Sequence, residues 1–149
     1  MLKQQLEQDL KKALLGGDRA RATVIRGLKS VILYAEVEKG VRDEGIDDDA
    51  ITALLAKEAK KRQESADLYV KGGDQARADI ELSEKAIIEE YLPKQLSDDE
   101  LSAIVDEVIA GLSVSGPQAM GQAIGQVKQK TAGQADGGRI AQMVKEKLN

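Results

Sequence analysis

Lys128 and Lys130 lie within, and Arg139 just after, the stretch AMGQAIGQVKQKTAGQADGG (residues 119–138), which also carries glycines at 121, 125, 133, 137 and 138. Cations interleaved with glycines can grip a phosphate chain. Glycine lets backbone N–H groups come close, and a helix N-terminus favours an anion. Asp136 stands where it would cap a final helix opening at Gly137. A second use fits the same residues: Gly121 and Gly125 let two helix backbones approach, while Gly133, Gly137 and Gly138 make the turn into that helix. Because glycine inside a helix costs about 1 kcal/mol relative to alanine, one of these uses is expected. Arg19, Arg26 and Lys29 form a second cationic set on the back of a predicted helix, and a polyanion could also lie there.

Other chemistry is largely excluded. The 149 residues contain no histidine, cysteine, phenylalanine or tryptophan, which removes the commonest general base, thiolate ligands and two of the aromatics used to stack bases. No serine has a candidate base at hand, so no catalytic residue is assigned. GGDRAR has the wrong order for a phosphate-cradling loop and no strand before it. A calcium loop beginning at Asp43 would need Glu at position 54, where Leu54 stands. Neither a metal nor a cofactor is expected. The start MLKQQLEQDLKK lacks an apolar run resembling a signal peptide and no segment is long enough to span a bilayer, so a cytoplasmic chain with no membrane partner is expected. The net charge of −4 is uneven: residues 1–42 hold nine Lys/Arg against five Asp/Glu, residues 43–96 eight against fourteen, and residues 97–149 five against seven.

The elements that must position these residues read as helices throughout. Leu2, Leu6, Leu10 and Leu14 mark a first helix ending at Gly16-Gly17, and Asp18 caps a second running to about residue 42 with Val24, Ile25, Leu28, Val31, Ile32 and Ala35 as its stripe. A third carries Ile51, Leu54, Leu55, Ala59, Ala66 and Tyr69 on one face and breaks at Gly72-Gly73. A fourth, from about Gln75 to Tyr91, carries Ile80, Ile87, Ile88 and Tyr91. Glu58, Arg62 and Glu84 fall along the apolar sides of these two, where they either pair across the interface or stand exposed at its flank. Pro93 ends the fourth helix, and Ser97 with Glu100 forms a capping box for a fifth. A sixth opens at Pro117 and a seventh after Asp136. The expected architecture is all-α: an N-terminal four-helix domain over 1–93 and a small three-helix domain over 97–149.

The order RADIELSEKAIIEEYLPKQLSDDEL, followed by AMGQAIGQVKQKTAGQADGGRIAQMVKEKL, resembles the GatB/YqeY family, specifically its stand-alone YqeY-like members, over essentially the whole chain. The most specific elements are YLP-x-QL-S-x-x-EL at Tyr91 to Leu101, the pair Met120-Gly121, and the group Gly133, Ala135, Asp136, Gly137. The resemblance implies a likeness to the tail domain of the B subunit of the glutamine-dependent Glu-tRNA(Gln)/Asp-tRNA(Asn) amidotransferase. It therefore implies an accessory tRNA-binding role, with tRNA and tRNA-charging or amidotransferase proteins as partners. The amidation centre of that enzyme lies in other domains, so the family label of carbon–nitrogen ligase with glutamine as amido donor is inherited, and no such reaction is expected of this chain alone. The sequence departs from the family pattern at Gln122, Ile124 and Gln134. Two of those changes remove cations expected at phosphates, which lowers the expected affinity and its salt dependence. A protein-interaction adaptor that binds no RNA is the alternative reading.

Overall fold

The computed structural model describes residues 1–148. Seven helices follow one another: α1 (Leu2–Leu15), α2 (Arg19–Glu38), α3 (Asp48–Lys71), α4 (Gln75–Glu89), α5 (Asp98–Ala110), α6 (Pro117–Thr131) and α7 (Gly137–Leu148), with no strand among the described residues. The chain is therefore all-α. It resolves into two compact units, Met1–Leu92 and a second beginning at Pro93.

In the first unit the leucine repeat of α1 buries Leu6, Leu10 and Ala13 against Val24, Ile25, Leu28 and Ile32 of α2, while Ile51 and Leu55 of α3 and Ile88 of α4 complete the core. Asp18 caps α2 by accepting the Arg21 N–H at 3.1 Å, and Asp47 caps α3 by accepting the Ala50 N–H at 2.8 Å. Each satisfies a donor that a helix start leaves free. Gly17 takes φ +74° after the last turn of α1. α2 stops at Glu38, short of the expected residue 42, because the chain turns at Gly40. Ile80 departs from the expected stripe of α4. It is 58% exposed, and Ala78 is buried instead; two residues apart, the pair differ by about 200° around the helix. Between α3 and α4, Arg62 pairs with Glu84 at 3.0 Å, whereas Glu58 pairs along its own helix with Lys61 at 3.2 Å.

Polar stitches hold what this core cannot. Glu36 is buried to 2% exposure, its carboxylate accepts Lys3 Nζ at 3.0 and 2.8 Å, and it also accepts the Ile46 N–H at 3.0 Å. That one side chain fixes the start of α1 and the loop before α3 on α2. At the other end, Tyr91 Oη donates to Asp9 Oδ2 at 2.5 Å and Arg21 meets Glu90 at 2.6 Å, which moors the end of α4 on α1 and α2. Burial, then the Asp9 carboxylate, push the Tyr91 phenol above its ordinary range and keep it a donor.

The second unit closes around Leu101, Val105, Val108, Ala123, Val127, Ile140 and Val144. Ser97 and Glu100 form the full capping box at the start of α5. Three ion pairs tie α5 to its neighbours: Glu107 to Lys130 on α6 at 3.0 Å, and Asp98 to Arg139 at 2.8 Å and Asp106 to Lys147 at 2.7 Å on α7.

Glu36→Ala leaves the Ile46 N–H and Lys3 without their acceptor, so the first unit should lose about 1–3 kcal/mol in chemical denaturation. The carboxyl of Glu36 is held below its usual value of 4.5, first by the Lys3 hydrogen bond. A depressed folded-state pKa contributes stability that is present above the unfolded value and lost as pH falls through the folded one. Thermal melts of Glu36→Gln should therefore lose less stability than wild type as pH drops below about 4.5.

Candidate nucleic-acid interface

The two sequence motifs meet in the second unit. Leu96 N–H donates to the Gln134 carbonyl at 2.8 Å, and Gln95 Nε2 donates to the Gly133 carbonyl at 3.2 Å. Arg139 Nη2 donates to the Leu96 carbonyl at 3.1 Å and to Asp98 at 2.8 Å. Residues 95–98 and the turn at 133–139 thus hold each other. Gly133 sits at φ +86° with Pro93 Cγ 3.6 Å from where its Cβ would be, and Ala132, the C-cap of α6, is left-handed at φ +45°. Asp136 immediately precedes α7, and its carbonyl accepts the Ile140 N–H at 3.1 Å.

The expected phosphate-binding cations fare differently. Arg139 is engaged with Asp98 and the Leu96 carbonyl, and Lys130 with Glu107. Lys128 is exposed, makes no ion pair among the described residues, and brings Nζ within 3.7 Å of where a Cβ on Gly137, the first residue of α7, would lie. Of the three it alone stays available at that helix start. In the first unit, Arg19 and Arg26 are exposed on α2 without an ion pair among the described residues, while Lys29 is bound to Glu7 of α1.

Gly121 and Gly125 overturn the helix-packing reading of their spacing. Both are exposed, and a Cβ built on either meets nothing within 4 Å. The opposite face of α6 does the packing, through Ala119, Ala123 and Val127. No backbone contact within the second unit offsets the helix cost of these glycines. They open a thin strip on the outer face of α6, flanked by exposed Gln122, Gln126 and Lys128.

Sequence reading passed over a second surface. Leu33, Tyr34 and Val37 of α2 are 45, 77 and 55% exposed, on the face that also carries Arg19 and Arg26. Apolar residues falling off the buried stripe of a helix were the available signal.

The described residues thus form small helical bundles with polar outer strips. The chain belongs to the YqeY-like family, whose model, described as Yqey-like protein, matches residues 3–148. Among curated relatives, the chain is 33% identical over 130 residues to "Altered inheritance of mitochondria protein 41, mitochondrial" of Kluyveromyces lactis, covering 85% of this chain and 69% of that protein. Proteins of the same name from Lachancea thermotolerans and Eremothecium gossypii are 33 and 32% identical, with 60 and 71% of their lengths covered. All three are named as mitochondrial, which corrects the cytoplasmic placement expected above. That expectation rested on the missing apolar run near the first residues, and such a run marks secretory signals; mitochondrial leaders are Arg-rich and amphipathic.

Backbone strain makes the 132–133 turn testable. Ala132→Gly should stabilise the second unit by about 1 kcal/mol, because a left-handed alanine is relieved, and Gly133→Ala should destabilise it by about 1 kcal/mol or more. Equal and opposite shifts in urea midpoints would agree with the turn described; two neutral changes would contradict it.

Proposed function

We propose that this chain is an accessory tRNA-binding module without an amidation centre, acting in trans with tRNA-charging or amidotransferase proteins. The observation that carries this reading is the outward strip of Gly121 and Gly125, open to 4 Å, beside the unpaired Lys128 and the start of α7. A sugar–phosphate chain can lie close against such a strip, with glutamine amides and one cation in reach and backbone N–H groups at the helix start. Arg19 and Arg26 on α2 add a second cationic set. The unpaired cation beside the strip, Lys128, neutralises about one phosphate, so the salt slope of binding there should be shallow, on the order of −1 in log–log form.

The second reading is a protein-interaction adaptor, favoured by the exposure of Leu33, Tyr34 and Val37.

The experiment is a titration with total tRNA at two salt concentrations, alongside melting curves, for wild type and Gly121→Ala/Gly125→Ala. Each alanine should stabilise α6 by about 1 kcal/mol, since nothing occupies the space its Cβ enters. The same change should weaken tRNA binding, as should Lys128→Ala. A more stable protein with unchanged tRNA affinity would remove the strip from the interface, and no saturable binding at low salt would sink the tRNA reading altogether.

A further inference from the structure

A groove of about 440 Å³ runs between α1 and α2 with Leu6, Ile32 and Leu33 along it. Its charged groups are already spent. Lys3 gives both of its short contacts to the Glu36 carboxylate, and Lys29 is bound to Glu7. A small molecule would find no free charged group to orient it, only the Gln4 amide and the Ser30 hydroxyl. An apolar side chain would find a trough without net charge.

The same two ion pairs fix the register. Residue 3 opposite 36 and residue 7 opposite 29 make α1 and α2 antiparallel. One turn beyond the second pair stand Lys11 on α1 and Arg26 on α2, both exposed and without an ion pair among the described residues. Lys11 is close enough to Glu7 to help Lys29 hold that carboxyl below its ordinary range. The surface is thus graded along α2: Leu33 lines the groove with exposed Tyr34 and Val37 beside it, and Lys11 and Arg26 stand one turn beyond its Lys29–Glu7 pair. From Val37 to Arg26 is about 16 Å of helix, three turns, which matches positions i, i+4, i+7 and i+11 on a facing helix.

We propose that this groove and the α2 face beside it dock an amphipathic helical segment of a partner protein, its apolar face against Leu33, Tyr34 and Val37 and an acidic run at the Lys11 and Arg26 end. The proposal rests on the adaptor reading and is independent of the α6 strip. An RNA strand fits this groove poorly, because its phosphates would lie over the Glu7 and Glu36 carboxylates and an aliphatic floor.

The test uses the whole chain and two fluorescent 18-residue helix-forming peptides with leucines at i, i+4, i+7 and i+11, one with four glutamates at its N-terminus and one with them at its C-terminus. Controls are a shuffled peptide of equal composition and a peptide with glutamines replacing the glutamates. One of the two acidic peptides should bind saturably. Leu33→Asp/Val37→Asp should weaken it at least ten-fold, the range expected for anchor positions. Arg26→Glu should weaken the acidic peptide several-fold and leave the glutamine peptide unchanged. Leu33→Ser/Val37→Ser, with circular dichroism melts, keeps the test valid should the aspartate pair fail to fold. No binding by either acidic peptide, equal binding of the shuffled peptide, or indifference to the Leu33 and Val37 changes would overturn the proposal. So would tRNA displacing the peptide and losing affinity in Leu33→Ser/Val37→Ser, since the groove would then belong to RNA.

Discussion

A chain with neither phenylalanine nor tryptophan must close its interior with short aliphatic side chains, and both units live within that constraint. Leucine, isoleucine, valine and alanine fill the two cores. Such cores set which face of each helix turns inward, but they leave loops and helix ends to be placed by polar contacts. Glu36 does this for the first unit, where one buried carboxylate gathers Lys3 and the Ile46 N–H. Arg139 does it for the second by joining the start of α7 to the Leu96 carbonyl and Asp98. A buried carboxylate without partners would be costly, so these stitches are strict about which side chains can form them.

The stitching decides what remains for partners. Lys130, Arg139 and Lys147 each answer a carboxylate on α5, so half of the six cations of the second unit are neutralised internally. What α6 offers outward is shape: an open glycine strip with one unpaired lysine beside it. The first unit offers the converse, free arginines and exposed apolar side chains along α2. Binding through the α6 strip would therefore depend more on close approach than on charge.

Helix positions were legible in the sequence because their signals are local. Asp18 and Ser97 stand at helix starts with their cap hydrogen bonds made, and Gly16, Gly72 and Pro117 stand at helix ends or beginnings. α2 ends earlier than its apolar stripe suggests because Gly40 turns the chain, and Ile80 lies exposed because the neighbours of α4 cover the side of Ala78. At the candidate interface, residue types were readable and their commitments were not. Arg139 and Lys128 look alike as cations eleven positions apart, yet one is bound to Asp98 and the other is unpaired. Gly121 and Gly125 carry the spacing of packed helices while facing away from the unit's core, because hydrophobic phase, not glycine spacing, chose the buried side. The pairing of Arg62 with Glu84 was one of two open outcomes that only the fold could separate.

The most direct measurement is an amide-resolved NMR titration of the labelled protein with tRNA at low salt. The account predicts shifts or broadening centred on the amides of Gly121, Gly125, Lys128 and Gly137. A spectrum that stays unchanged through the titration, or that moves along α5 while those four amides hold still, would contradict it.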